Sequence, residues 1–426
     1  MKFIPKFLKK NSFLRKFGAI LAHIYFGFPA RKLIFIGVTG TSGKTTTTFL
    51  IKGILEEAGF KTGLIGTAGA YWDNKVIYGE TFGPATTPNP FLLHRILKNM
   101  VNKKIQVVVM EVSSSALDYH RTYGINFKSA ILTNLEPNYH VGTIHDNMES
   151  YVNAKLKLFK SLSPQSLAVL PKDSSYLDLF KSHTKAKILS FGFDSSSDIW
   201  VEKKSNEGSL VHFKNEEFTI KLGIPATPFH LLDSLAAIGA VSPLITAREI
   251  YQKGLAKITN IPGRMEIIIE SPLTVIIDKA NTYSTFKGII DFVKNNFDSK
   301  IKRIIAVYGY FKEISELERE KMAELAISSF DLVVLTQDDP KDEPPEKGIE
   351  DFLRYAKKHH VSSNNYLTVV NREEAIKTAL IKAKANDLVL VLGRGNEQFL
   401  HYEKKKIPFD DRVITRKILK EIGYLS

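Results

Sequence analysis

The chain has 426 residues, 44% of them hydrophobic and 24% charged, which is the balance of an ordinary globular protein too long for a single hydrophobic core. It has no cysteine, which excludes a disulfide scaffold, a thiolate zinc site and a cysteine nucleophile. A net charge of +14 and a pI near 9.4 suit an anionic partner such as nucleotide, nucleic acid or acidic lipid, or equally a lysine-rich solvated surface.

Residues 1–32 carry eight Lys or Arg and no acidic residue, with Phe, Leu and Ile between them. Their apolar part, 17–28, is too short to span a bilayer, so the segment reads as a basic amphipathic helix. It either lies on an anionic membrane or docks on the protein's own surface. A signal peptide is the runner-up, weakened by the poor cleavage site at Phe28-Pro-Ala-Arg-Lys.

Apolar, β-rich runs at 33–39, 105–112, 129–135 and 166–171 alternate with helical stretches and predict an α/β domain with a mostly parallel sheet. A polar, alternating interval at 194–222 predicts a small antiparallel excursion. A helical stretch at 230–247 follows, and Pro262-Gly263 then breaks any element and marks a boundary. A second strand series at 273–280, 303–309, 331–337, 366–370 and 387–393 predicts a second α/β domain. The expected organisation is a basic segment over 1–32, a central domain over 33–261 and a C-terminal domain over 262–426.

The most informative stretch is GVTGTSGKTTTTFL, residues 37–50, directly after the first strand. A strand, a glycine-rich turn and a helix starting near Lys44 form the setting in which backbone N–H groups and a helix N-terminus bind phosphate. Val38 stands where the strict phosphate-loop pattern has its first glycine, leaving Gly40, Thr41, Ser42, Gly43, Lys44, Thr45 and Thr46 as the binding loop. Lys44 is expected to reach the β- and γ-phosphates and the Thr45 hydroxyl to join Mg²⁺, so the loop predicts ATP or GTP binding. Glu111 closes a buried strand beside this loop, where a carboxylate is placed to hold Mg²⁺ directly or through water; the alternative is an exposed strand-end glutamate. A second polar cluster, 133–159, contains His140, His145 and Lys155.

Further motifs follow in order: TTP at 86–88, EVSSSAL at 111–117 with Arg121, TNL at 133–135, YVNAKLKLF at 151–159, PGRME at 262–266, TQDDPKDEPP at 336–345, NREEAI at 371–376, GRGNE at 393–397 and PFDDR at 408–412. Together, over residues 33 to about 415, they resemble the Mur ligase family, and within it the UDP-N-acetylmuramoyl-tripeptide synthetase branch that adds the third residue of the peptidoglycan stem. The resemblance implies a P-loop central domain and a Rossmann-like C-terminal domain closing over ATP. It also implies the reaction, in which ATP phosphorylates a substrate carboxylate and an amine attacks the acyl phosphate. Such a transfer needs clustered positive charge around the γ-phosphate.

By that resemblance Lys44, Glu111, His140 and Lys155 are catalytic, and Thr45, Glu111, His140 and a carbamylated Lys155 hold Mg²⁺, with His145 competing for the place of His140. His230, Asp233, Arg264 and Asp278 join the loop in binding the nucleotide. Thr86, Thr87, Ser113 and Arg121 anchor the acceptor, UDP-N-acetylmuramoyl-L-alanyl-D-glutamate. Asp338, Asp339, Lys341, Gly393 and Glu397 receive the incoming diamino acid, meso-diaminopimelate or L-lysine; an arginine fork suits a distal carboxylate better than the point charge of Lys341. The resemblance implies a cytoplasmic protein, with a monomer favoured; the basic segment 1–32 adds a candidate peripheral contact with an anionic membrane, and no nucleic-acid partner is expected. Without the resemblance, Lys155 reads as a helical surface lysine and Arg121 as a solvated helix residue.

The sequence also departs from the family. The uridine-binding domain expected ahead of the ATP loop is replaced by the basic segment. DKANTYS at 278–284 has Asn281 where the family has histidine, and GYFKEIS at 309–315 has lost an arginine and all but one glycine of a glycine-rich stretch. The reading is a reduced or divergent ligase. The alternatives are a related ligase acting on another acceptor and a noncatalytic, membrane-associated ATP-binding scaffold. No recognition-helix, zinc or RNA-binding aromatic signature supports nucleic-acid binding.

Overall fold

The computed structural model describes residues 12–73, 75–78, 86–136, 144–205, 208–297, 301–310, 314–341, 343–402 and 405–425. The chain forms two compact units, the first ending at Thr259 and the second starting at Asn260.

In the first unit helix α1 (Ser12–Tyr25) precedes β1 (Ile34–Thr39), α2 (Lys44–Glu57), β2 (Thr62–Gly66), β3 (Gly69–Trp72) and β4 (Lys75–Tyr78). Then come α3 (Pro90–Asn102), β5 (Val107–Glu111), α4 (Ser114–Asp118), β6 (Phe127–Leu132), α5 (Met148–Lys160), β7 (Leu167–Pro171), α6 (Leu177–Ser182) and β8 (Lys187–Gly192). The unit closes with β9 (Ile199–Ser205), β10 (Gly208–Phe213), β11 (Glu216–Ile220), α7 (Pro228–Val241) and α8 (Arg248–Lys257). Its eleven-stranded sheet has the order β11-β10-β9-β8-β7-β6-β1-β5-β2-β3-β4. The stretch from β8 to β2 is parallel, and both edges are antiparallel meanders. The interval 194–222 supplies β9 to β11, joined to the main sheet by a parallel β8–β9 pair. The β2–β4 meander was not legible in advance, because it comprises short runs broken by Gly66, Gly69 and Asp73.

The central strands are continuous apolar runs because helices cover both faces of a parallel sheet. Every residue of β5 is buried, including its terminal Glu111. Helix starts are set locally: Asn89 caps α3 by accepting from Leu92 N with Pro90 at the first position, and Thr227 with Pro228 does the same for α7. The pairing of Val38 with Glu111 and of Thr39 with Leu132 brings the C-terminal ends of β1, β5 and β6 side by side. Polar loops leaving those ends therefore meet at one place, outside the carboxyl ends of the strands, where open α/β sheets bind ligands.

Helix α1 is docked on the first unit. Ala19, Ala22 and His23 are buried, and His23 Nδ1 lies 3.3 Å from His94 Nε2 on α3. Burial lowers the pKa of both histidines, that of His94 to about 4. The Arg15 guanidinium stacks 4.0 Å over the Tyr119 ring, and Ser12 Oγ lies 2.8 Å from His120 Nε2. Among the described residues no helix is long and apolar enough to cross a membrane.

The second unit contains β12 (Glu266–Ile269), β13 (Thr274–Asp278), α9 (Tyr283–Phe297), β14 (Arg303–Tyr308), α10 (Glu316–Ser329), β15 (Leu332–Leu335) and α11 (Lys347–Lys358). It continues with β16 (Tyr366–Thr368), α12 (Arg372–Lys382), β17 (Asp387–Leu392), the hairpin β18 (Phe399–Tyr402) and β19 (Lys405–Pro408), and α13 (Asp411–Glu421). The sheet order is β12-β13-β17-β14-β15-β16, parallel except at the β12 edge. Two apolar clusters lie on its two faces, one around Phe286, Tyr308 and Phe352, the other around Val275, Ile376 and Leu419. Fully buried Arg372 ties the helix layer to the strand ends: its guanidinium holds Asp411 at 2.8 Å and donates to the carbonyls of Gln337 and Leu392. Burying this pair requires that its remaining donors be satisfied, and the two carbonyls do so.

Candidate active site

The turn after β1 is shaped by two glycines. At Gly40 (φ 153°) a Cβ would overlap Thr133 Oγ1, and at Gly43 (φ 78°) it would stand 2.5 Å from Asp233 Oδ1. Gly43 is the N-cap of α2 and has no side chain to occupy the first-turn N–H groups, so the N-terminus of this fourteen-residue helix is built to face an anion.

A ring of polar side chains holds the loop. Asn134 Oδ1 accepts from Thr41 N (3.1 Å) and Ser42 N (2.9 Å), while Asn134 Nδ2 donates to Ser42 Oγ (2.8 Å). Ser42 Oγ donates to Glu136 Oε1 at 2.8 Å, and Thr133 Oγ1 donates to Ser42 O at 2.6 Å. Thr41 Oγ1 lies 3.0 Å from the Tyr151 hydroxyl on α5, and on the α7 side Thr47 Oγ1 donates to Asp233 Oδ1 at 3.0 Å. Asp233 thus sits beneath the loop, and His230, one turn earlier on α7, is fixed through Nδ1 to Pro225 O.

Two ammonium groups meet at one carbonyl. Lys44 Nζ donates to Gly40 O (2.8 Å) and Thr41 O (2.7 Å), and Lys155 Nζ reaches the same Gly40 O at 2.8 Å. Lys155 is buried on the inward face of α5 rather than on a solvated one, with its ammonium 4.5 Å from the Tyr151 ring centre. Burial, reinforced by the charge of Lys44, pushes the Lys155 pKa well below the ordinary lysine value.

Opposite the lysines, Glu111 is fully buried and accepts from Thr45 Oγ1 (3.0 Å), Thr67 N (3.1 Å) and Thr67 Oγ1 (2.9 Å). Thr86 Oγ1 lies 3.3 Å from Thr67 Oγ1. Thr87, fully buried, donates to the backbone carbonyl of Glu111, and Arg121 Nη1 donates to Thr87 O at 2.6 Å, so Thr87 and Arg121 are tied to the end of β5. Ser113 caps α4 through Ala116 N. A hydroxyl and a carboxylate oxygen 3.0 Å apart beside a phosphate-binding turn are donors suited to a hard divalent cation that keeps several waters. Among the described residues no three His, Cys, Asp or Glu side chains converge on a metal position. His140 lies outside the described residues. His145 is buried and engaged, with Nε2 2.9 Å from Ser114 Oγ and Nδ1 3.5 Å from Asp118.

The second unit holds the remaining candidates. Asp278, at the end of β13, accepts from Met265 N at 2.6 Å; burial pushes its pKa up to about 6 although Arg264 pulls the other way. Arg264 Nη1 donates to Gly263 O and to Asn396 Oδ1. The loops after β15 and β17 face each other: a Cβ at Gly393 (φ 113°) would run into Asp338 Oδ2. Asp338 is buried and pushed up to about 6 by that burial, against the pull of Arg372 and Arg394. Asp339 is held by His401, which donates its backbone N–H (2.7 Å) and directs Nδ1 at both carboxylate oxygens (3.2 and 3.0 Å). Lys341 adopts φ 57° and donates its N–H to His401 O. Burial raises the pKa of Glu397, but Lys279 at 2.6 Å and Arg394 outweigh it and bring the group down to about 2.

Sequence reasoning did not single out Thr67, Asn134, Glu136, Tyr151, Lys279, Arg394, Asn396 or His401. Asn134, Tyr151, Lys279, Arg394 and Asn396 lay inside motifs already noted, and Glu136 inside the 133–159 cluster; Thr67 and His401 carried no pattern of their own.

The Mur ligase middle domain matches residues 38–241 and the Mur ligase glutamate ligase domain matches residues 263–395. The chain is 34% identical, over 97% of its length and 83% of the relative's, to the UDP-N-acetylmuramoyl-L-alanyl-D-glutamate--2,6-diaminopimelate ligase of Clostridium botulinum. It is 33% identical to the Aquifex aeolicus protein of the same name, over 95% of this chain and 81% of that one. Among solved structures, a ligase of that same name aligns with a TM-score of 0.63 at 22% identity, over 99% of this chain and 84% of the other. A Mycobacterium tuberculosis folylpolyglutamate synthase complexed with ADP aligns with a TM-score of 0.72 at 17% identity, over 90% and 92% of the two chains. The chain belongs to the Mur ligase family, ligases that use ATP to join a carboxylate to an amine.

Proposed function

We propose that this protein adds a diamino acid, meso-diaminopimelate, to UDP-N-acetylmuramoyl-L-alanyl-D-glutamate, making a peptidoglycan precursor with ATP and Mg²⁺. The observation that carries the reading is the meeting of Lys44 and Lys155 at Gly40 O, with Thr45 and Glu111 hydrogen-bonded beside them. A lysine held ready for the phosphates and an oxygen-donor pair suited to a divalent cation are what phosphoryl transfer to a carboxylate demands. The names of the relatives support diaminopimelate as the amine.

ATP supplies the phosphate that turns the acceptor carboxylate into a reactive acyl group. In this reading the Gly40–Thr46 loop and the N-terminus of α2 hold its phosphates, and Lys44 swings from its two loop carbonyls onto them. Thr45 and Glu111 would hold Mg²⁺, joined by His140 and by Lys155 as its carbamate. Thr86, Thr87, Ser113 and Arg121 bind the acceptor; His230, Asp233, Arg264 and Asp278 serve the nucleotide. Asp338, Asp339, Lys341, Gly393 and Glu397 receive the amino acid. Support for this last role comes from buried polar atoms without a protein partner: Asp338 Oδ2, Arg394 Nε, Asn396 Nδ2 and His401 Nε2. Donors and acceptors together match an amino acid whose distal end carries both an ammonium and a carboxylate. The protein acts as a cytoplasmic monomer, peripheral to an anionic membrane, without a nucleic-acid partner.

The test is phosphate release with Mg-ATP, bicarbonate and the UDP-muramoyl-dipeptide, comparing meso-diaminopimelate, L-lysine and no amine, with mass spectrometry of the product. Turnover that needs the acceptor and diaminopimelate is expected. Turnover with lysine alone would change the amine, and release without an acceptor would overturn the ligase reading.

A further inference from the structure

Helix α1 is mounted with its apolar side outward. At 100° per residue, Phe13, Phe17, Ile20, Leu21 and Ile24 form one stripe, while Ala19, Ala22 and His23 form the opposite face. A helix stabilised by burying apolar surface would put the first set against the core. Here the small set is buried, and Phe13 is 73%, Phe17 50% and Ile24 54% exposed.

The docking is specific on the inward side: His23 meets His94, Arg15 stacks on Tyr119 and Lys16 lies 5.0 Å over Tyr123. Tyr25 and the exposed Phe91 of α3, with ring centres 6.4 Å apart, extend the outward stripe onto the next helix. Neither α1 nor α3 contains an Asp or Glu, and Arg95 and Lys98 are exposed on α3. The sequence over 1–32 adds Lys2, Lys6, Lys9 and Lys10.

We propose that the outward face of α1, continued by Phe91, seats on an anionic phospholipid surface, with Phe13, Phe17, Leu21 and Ile24 entering the acyl boundary and the surrounding cations meeting the headgroups. This deepens the peripheral-membrane part of the function proposed above, by naming the face that makes the contact. Charge selects the occupant. A contiguous aromatic and aliphatic stripe on two helices whose own charged side chains are all cationic matches an interfacial helix on anionic lipid, whereas two such faces from two copies of the chain would bring like charges together. Because the helix is fastened by its small face, lipid binding requires no undocking, and the first unit is carried to the membrane as a body.

The test is co-sedimentation of the full chain with phosphatidylcholine vesicles, with and without phosphatidylglycerol, for the wild type, a Phe17→Glu/Leu21→Glu variant and a variant with Lys2, Lys6, Lys9 and Lys10 changed to Gln. Binding only to the anionic vesicles is expected, lost at least about tenfold in the first variant and weakened severalfold in the second. Unchanged thermal unfolding of both variants would exclude misfolding, since the substituted side chains of α1 are exposed. Absence of sedimentation, binding indifferent to the stripe, or a wild-type dimer that the Glu variant splits would each overturn the proposal. Phosphate release by the same proteins with soluble substrates separates the two readings: it should be equal in all three, and its absence with vesicle binding intact would remove the ligase reading and leave this one standing.

Discussion

The loop after β1 in the first unit and the paired loops after β15 and β17 in the second are both polar, buried and built on strand ends, yet they are finished differently. Around the first, the polar groups named above are answered from within: Asn134 takes two loop N–H groups, Glu111 takes three donors, and the two lysines share Gly40 O. Around the second, Asp338 Oδ2, Arg394 Nε, Asn396 Nδ2 and His401 Nε2 have no protein partner. A buried polar group left unmatched costs about 1–3 kcal/mol, so the second region is maintained against stability and the first largely is not. The polar groups of the first region are thus satisfied within the chain, whereas those four atoms of the second are not. Substitutions in the two regions should therefore differ in sign, not only in size.

The largest effect is expected at Gly40. A Cβ there overlaps Thr133 Oγ1, so Gly40→Ala must move the loop or the 133–136 segment; it should lower stability by about 1–3 kcal/mol and turnover by about 10²–10³-fold. Denaturant unfolding and phosphate release measure the two. A stable, active Gly40→Ala protein would break the claim that the first region is closely fitted.

Glu111→Gln comes next. Glutamine keeps one acceptor for Thr45 and Thr67, so unfolding should change little while the magnesium needed for half-maximal rate rises and turnover falls about 10- to 100-fold. A magnesium titration of both proteins checks it; an unaltered magnesium dependence would remove Glu111 from the metal site.

Asp338→Asn sharpens the comparison because it should stabilise. Burial raises this carboxyl from 3.8 to about 6, so the folded state holds its proton more tightly than the unfolded chain does. The stability tied to Asp338 is then greatest below about pH 4, falls as pH rises towards 6 and stays low above it. Asparagine mimics the protonated form, so the variant should gain about 1–2 kcal/mol at pH 7 to 8 and nothing at pH 4, while its KM for the amino acid rises. Unfolding at the two pH values decides it, and a loss of stability at pH 8 would mean that Arg394, 3.5 Å away, matters more than burial.

These cases also mark what the sequence made legible. The strand–turn–helix around Gly40 is local, and residues 37–50 suffice to place it. The nine strands read from apolar runs recur as β1, β5, β6, β7, β13, β14, β15, β16 and β17, since parallel strands covered on both faces are uniformly apolar. What stayed hidden depends on partners far along the chain. The burial of Lys155 follows from α5 turning that position onto Gly40, 115 residues earlier, whereas its own neighbours suggest a solvated face. His401 meets Asp339 across 62 residues, and although Asp339 lies in a motif, nothing around His401 announces the partner. The outward mounting of α1 was equally out of reach, because composition gives the two faces of a helix but not which one docks.

The smallest effect should come from Asn134. Its side-chain oxygen receives Thr41 N and Ser42 N, the kind of loop donors a phosphate would take, so it is a ligand stand-in with two opposed consequences. Asn134→Ala leaves the Ser42 N–H to water, thins the hold on Thr41 N–H and removes the bond to Ser42 Oγ, which should cost about 1 kcal/mol of stability. If Asn134 only fills the loop, the variant binds nucleotide as well as the wild type or better, since a competitor for the same donors has gone. If it also holds the loop open in the binding shape, affinity for ATP falls severalfold despite the freed donors. Calorimetry of ATP binding beside unfolding of the unliganded protein distinguishes the two. The comparison between the units predicts the second outcome, because the backbone carbonyl of Asn134 also accepts from Thr41 N at 3.1 Å and Thr133 still holds Ser42 O, leaving a loop that is tethered but no longer aligned.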